Sequence, residues 1–236
     1  MESQGKTIGV IGGLGPESTI EYYRLLQTTY RERHPGGSQP SIIINSIDLK
    51  KLLSLVAASE LNELTDYLSD EVLKLAKAGA HFGLIASNTP HIVFDGVARR
   101  SVIPLISIVE AACEAAKNLG LKKLALFGTK FAMQGDFYPV VFYKNNIELV
   151  VPSPTEQDYV HEKYFAELVN GKVFPETLKG MTAIVERMQQ QQAIEGLVLG
   201  GTELSLLFRE PMAAGVPVLD TTKIHVNQAI EKLLAE

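Results

Sequence analysis

Two short stretches of this 236-residue chain place polar side chains where an α/β sheet could use them on a ligand. Leu84-Ile85-Ala86 is an apolar run that ends in Ser87-Asn88-Thr89, and Pro90-His91 then stops the strand. Far downstream, Leu197-Val198-Leu199 ends in Gly200-Gly201-Thr202-Glu203. Asn and Thr side chains with turn amides at the carboxyl end of a strand can hold the carboxylate and ammonium of a small amino acid. Glu203 adds a carboxylate on the second turn, and His91 or His225 is a base suited to neutral pH. Each has a plainer reading: Asn88 and Thr89 as a turn that satisfies its own backbone, Glu203 as a helix cap, the histidines as buried hydrogen-bonding groups.

Glycine turns add backbone donors. Ile11-Gly12-Gly13-Leu14-Gly15-Pro16 does not match the dinucleotide pattern G-x-G-x-x-G. Gly12 and Gly13 still offer N–H groups at a helix start, which suit a carboxylate or phosphate; a tight turn without ligand is the other reading. Thr129 after Gly128 is their counterpart. Lys163, with His161, lies on a later helix that could close over a site and reach a substrate carboxylate. Lys50 and Lys51 stand in a similar position, and a solvated lysine is the alternative for all three.

These residues need strands to carry them and helices to space them. Thr7 to Ile11 reads as a strand, Glu17 onward as a helix broken at His34-Pro35-Gly36-Gly37, and Ser41 to Ser46 as a strand buried on both faces. One helix is expected from Asp48 to Ala78, capped by Gly79, and a strand from Phe82 to Ala86. After Pro104, the run Leu105 to Ile108 leads into a helix over Val109 to Asn118, and Lys123 to Phe127 repeats the strand-then-glycine logic of Ile8 to Gly13. Ile147 to Val151 and Leu197 to Leu199 read as strands, Asp158 to Asn170 and Pro175 to Gln192 as helices. Val216 to Asp220 and the helix from Lys223 are expected to return to the first half. The pattern predicts two similar α/β lobes, residues 1-103 plus 217-236 and residues 104-216, each with a mainly parallel four-stranded sheet and a cleft between them.

Composition narrows the partners. The chain is 46% hydrophobic with formal net charge −5, and no basic stripe favours nucleic acid. No apolar run is long enough to span a bilayer, and Met1 to Lys6 lacks the order of a signal peptide. Cys113 is the only cysteine, which excludes an intrachain disulfide and a thiolate metal cage and fits a cytoplasmic protein.

Ile8 to Gly13 with Glu17-Ser18-Thr19, Asn88 to His91, Phe127-Gly128-Thr129, Gly200 with Thr202-Glu203-Leu204, and Asp220-Thr221 with Ile224-His225 together resemble the aspartate/glutamate racemase family. The resemblance covers nearly the whole chain. It implies a pseudo-twofold pair of lobes, a homodimer, a small amino acid or dicarboxylate as ligand, and no pyridoxal phosphate, metal or other cofactor. It also implies two cysteines exchanging a proton at Cα, one in Cys-Asn-Thr and one in Gly-Cys-Thr-Glu. Here Ser87 and Gly201 stand at those positions. A serine hydroxyl is a weak acid that needs activation, by His91 or Glu203, and glycine has no side chain. Little or no ordinary racemisation is therefore expected, unless Glu203 holds a water in the space left at Gly201. A diverged lyase or isomerase on a small carboxylic acid, or a ligand-binding relative without turnover, is the alternative.

Overall fold

The computed structural model describes residues 5–36 and 39–235. Gly37 of the expected helix break and Met1 to Gln4 of the leader reading lie outside the described residues. The chain divides into two compact units, Met1–Ile108 with His225–Glu236, and Val109–Ile224.

In the first unit, β1 (Thr7–Gly12) leads into α1 (Pro16–Arg33), which has Pro16 at its first turn and Arg31 and Arg33 in its last. β2 (Ser41–Ser46) follows, then α2 (Leu49–Ala57), whose Asp48 cap accepts from the Lys50 and Lys51 amides. Next come α3 (Leu61–Lys77), β3 (Phe82–Ile85), a 3-10 turn (Thr89–Val93), α4 (Phe94–Arg100) and β4 (Leu105–Ile106). The sheet order is β2-β1-β3-β4, all parallel. Leu64, Leu68, Val72 and Leu75 form the buried stripe of α3. The segment expected as one helix is two, because Ser59 adopts a left-handed φ of 58° between α2 and α3. β2 is an edge strand with Ile44 exposed, so the expectation that it is buried on both faces fails: its apolar run meets only one neighbouring strand.

The second unit runs through α5 (Ile108–Asn118), β5 (Lys123–Gly128), α6 (Lys130–Gln134), α7 (Phe137–Tyr143) and β6 (Glu148–Val150). α8 (Pro154–Ala166) opens on a Ser153/Glu156 capping box and ends before a 3-10 turn at Leu168–Asn170. Then follow α9 (Pro175–Gln192), β7 (Gly196–Gly200), α10 (Leu204–Leu207), β8 (Met212–Ala213), β9 (Val216–Asp220) and α11 (Thr221–Leu234). The sheet is five-stranded, β6-β5-β7-β9-β8, with β8 antiparallel, against the four strands expected. Its four parallel strands repeat the order of the first sheet, as an internal duplication would leave them.

The expected seams move. Leu105 and Ile106 pair with Gly83 and Leu84, so β4 completes the first sheet and does not open the second. Val218 to Asp220 pair with Leu197 to Leu199, so β9 belongs to the second sheet and only α11 from His225 onward joins the first unit. There Val226, Ala229 and Ile230 pack on Ile8, Val10, Tyr22 and Leu26.

Candidate functional site

In the first unit the two candidate turns are neighbours, because β1 and β3 pair in register Ile11↔Ile85 and the Ala86 amide donates to Ile11 O at 2.9 Å. Gly13 has φ +79°, and a Cβ there would lie 2.4 Å from Ile47 O, so only glycine fits the turn. Its N–H donates to Thr19 Oγ1 at 2.9 Å and is occupied by the protein itself. Gly12 packs as closely, with a Cβ there meeting Thr19 Cγ2 at 2.6 Å. Asn88 and Thr89 are buried, while Ser87 is half-buried.

His91 is buried, and both ring nitrogens serve the backbone. The Ile108 amide donates to Nε2 at 3.1 Å, so the proton sits on Nδ1, which donates to Ser87 O at 2.9 Å. Burial, followed by the nearby His225, pushes its pKa down to about 3. The expectation that His91 activates the Ser87 hydroxyl is not met, since the contact is to the carbonyl. His225 is also fully buried: Nδ1 pairs with Tyr22 OH at 2.9 Å and Nε2 with Ile106 O at 3.0 Å, and burial lowers its pKa to about 4. Because a carbonyl can only accept, Nε2 carries the proton and Nδ1 accepts from Tyr22. These two neutral histidines hold both ends of the Ile106–Ile108 segment. Lys50 and Lys51 lie exposed on the first turn of α2, with Lys51 Nζ 4.0 Å from the Tyr67 ring centre.

The second unit repeats the arrangement with different contents. Gly128 and Gly200 face each other across β5 and β7, and a Cβ on Gly128 would meet Gly200 O at 2.6 Å. Thr129 is buried and caps α6, accepting from the Ala132 amide at 3.3 Å. The Lys130 amide donates to His161 Nδ1 at 3.1 Å, which ties α8 to this turn. Burial, then the Lys130 charge, holds the His161 pKa below its ordinary value.

Gly201 does not leave a water-sized gap. A Cβ there would meet the Tyr164 ring at 2.6 Å and its hydroxyl oxygen at 3.2 Å. The ring from α8 fills the space, which removes the expected place for a water held by Glu203. The Tyr164 hydroxyl donates a hydrogen bond to Glu203 Oε2, which also accepts from Thr202 Oγ1 at 2.9 Å. All three residues are buried. Burial, reinforced by Glu203, raises the Tyr164 pKa well above its ordinary value, so the phenol keeps its proton at neutral pH. Glu203 is therefore more than a cap on α10.

Tyr164 is the residue that sequence reasoning missed. Gln157, Val160 and Tyr164 form the buried stripe of α8, so its inward direction was readable, but nothing local said that it meets the Gly201 turn. Lys163, one position earlier, lies instead against Glu167, with Nζ–Oε1 2.6 Å, and Glu167 also accepts from Thr177. Cys113 is buried, points its thiol at Val141 O, and has its pKa raised by burial. An open hollow of about 600 Å³ beside Leu119, Phe208 and Ile224 includes none of the turn residues in its walls. Among the described residues no His, Cys, Asp and Glu cluster could hold a metal ion, and no helix is long and apolar enough to cross a membrane.

The family model for Asp/Glu/Hydantoin racemase matches residues 11–229. An aspartate racemase homologue from Pyrococcus horikoshii OT3 is 33% identical and superposes with a TM-score of 0.85 over 98% of this chain and 100% of that one. The broad specificity amino-acid racemase RacX of Bacillus subtilis (strain 168) is 20% identical over 97% of this chain and 98% of its own length. Picrophilus torridus aspartate racemase, at 19% identity, shares the fold with a TM-score of 0.75 over 97% of this chain and 94% of that one. With that match over most of its length, and with paired glycine and polar turns at the strand ends of both units, the chain belongs to the Asp/Glu/hydantoin racemase family.

Proposed function

We propose that this chain binds a small amino acid or dicarboxylate through its polar turns and racemises aspartate or glutamate poorly or not at all. The observation that carries the reading is Gly201: the resemblance calls for a thiol there, and a tyrosine ring occupies the space instead. Ser87 supplies only a hydroxyl on the other turn, and His91 is bonded to its carbonyl. Racemisation requires a base on one face of Cα and an acid on the other. Asn88, Thr89, Thr129 and Thr202 are the proposed ligand contacts, with the amides of the Gly12-Gly13 turn reduced by the bond from Gly13 to Thr19. We propose no cofactor, a cytoplasmic location and a homodimer. A lyase or isomerase acting on a small carboxylic acid through Glu203 is the second reading, favoured by the buried Tyr164–Glu203–Thr202 cluster.

Thermal melts with both enantiomers of aspartate, glutamate and alanine, and with succinate, test the binding. A ligand at about a hundred times its Kd raises stability by roughly 2.7 kcal/mol, which a melt resolves. Flat melts across that panel would overturn the substrate class.

A further inference from the structure

We propose that Tyr164 and Glu203 together replace the missing thiol as a single acid/base device, so that the chain exchanges the α-proton of one enantiomer without inverting it. The inference rests on the binding reading above. Its basis is geometric. The Tyr164 hydroxyl lies 3.2 Å from the point where a side chain at 201 would begin, so a phenol oxygen stands close to where the family thiol would stand. Glycine at 201 is what admits it, since any Cβ would collide with the ring. The hydroxyl donates to Glu203, whose same oxygen accepts from Thr202 at 2.9 Å. Two donors converging on one carboxylate oxygen orient it towards Tyr164.

The step balances without a further reactant. The substrate Cα–H bond breaks as its proton moves to the Tyr164 oxygen, and the Tyr164 proton passes to the Glu203 carboxylate. The electron pair stays on the substrate, delocalised into its own carboxylate. Before the return, the proton delivered to the Tyr164 oxygen is replaced from solvent, so that Cα receives a deuteron in D₂O while Glu203 gives its proton back to Tyr164. Tyr164 is the catalytic residue in this scheme, and Glu203 is a positioning residue and proton store that acts through it. The device serves a single face of Cα, so the proton returns to the face that it left.

Exchange followed by NMR in D₂O, with chiral chromatography of the same samples, tests this on every panel compound that shifts the melt. The wild type is expected to replace the α-proton of one enantiomer by deuterium with configuration retained. Tyr164→Phe keeps the ring in the Gly201 space, so it should bind normally while exchange falls by roughly 10²–10⁴-fold, the usual worth of a general acid or base. Glu203→Gln should lower exchange similarly and remove one limb of its pH–rate profile, which a structural carboxylate would leave unchanged. Exchange undiminished in Tyr164→Phe, or a bound ligand that the wild type never exchanges, would overturn the relay alone. Failure of every panel compound to shift the melt would instead remove the binding reading, and the relay with it.

Discussion

At the scale of single residues, Gly201 and Tyr164 are one feature. A tyrosine reaches the turn because the glycine has no side chain, and the glycine can no longer be enlarged because the tyrosine is there. Gly201→Cys alone is therefore expected to destabilise the fold by about 1–3 kcal/mol, the usual cost of overpacking a filled core, read as a lower urea midpoint. Adding Tyr164→Ala to it should recover part of that loss, and a loss equal in both variants would contradict the fit. The restoration of racemisation by Ser87→Cys with Gly201→Cys, an obvious experiment from the sequence, accordingly needs the smaller residue at 164 as well. The sequence pointed to Ser87, Gly201, Thr202 and Glu203 but could not reveal this pairing. The contact spans 37 residues between a helix and a turn, and neither segment carries a local signature of the other.

At the scale of elements, the buried histidines govern how the end of the first sheet is fastened. His91 and His225 bind the Ile108 amide and the Ile106 carbonyl in neutral form, with folded pKa values of about 3 and about 4. Both values lie below the usual 6.5 of an unfolded histidine. Above pH 6.5 the two groups are neutral in both states and their full contribution is present. As pH falls below 6.5 the unfolded chain takes up protons that the folded one refuses, so stability drops by about 1.4 kcal/mol per pH unit for each histidine until the folded values are reached. His161, also lowered, adds to this slope. Glu71, Glu156 and Glu167, whose folded values are held below 4.5 by hydrogen-bonded Lys74, Arg187 and Lys163 against the opposing effect of burial, lose their share only at lower pH. Urea unfolding between pH 7 and pH 5 isolates the histidines: a steep loss is expected, shallower in His225→Asn, and a flat profile would contradict their buried neutral state.

Element boundaries show where local pattern suffices. Pro175 to Gln192 was readable at both ends because a proline opens the helix and its apolar period stops with it. The break at Ser59 was not, since Ala58-Ser59-Glu60 contains neither glycine nor proline and the turn depends on a left-handed serine. β4 has two residues, too few to show a period, and its partner β3 is fixed only by the tertiary fold. The same holds for β9, whose sequence says strand but not which sheet.

At the scale of the whole molecule, two units with the same order of parallel strands were legible from the repeated strand, glycine turn and polar turn. The family followed from the same residues. Sizing chromatography with light scattering tests the proposed homodimer: about 52 kDa is expected as twice the 25.8 kDa chain, and a monomer mass would remove the proposal. The central claim, that this racemase-family chain has lost two-thiol racemisation, is tested most directly by chiral chromatography of L- and D-aspartate and L- and D-glutamate incubated with the pure protein. Loss of a general acid or base is worth about 10²–10⁴-fold, so inversion is expected at least about a hundredfold slower than for a two-cysteine member of the family assayed in parallel. Inversion of either amino acid at a rate matching that member would contradict the account.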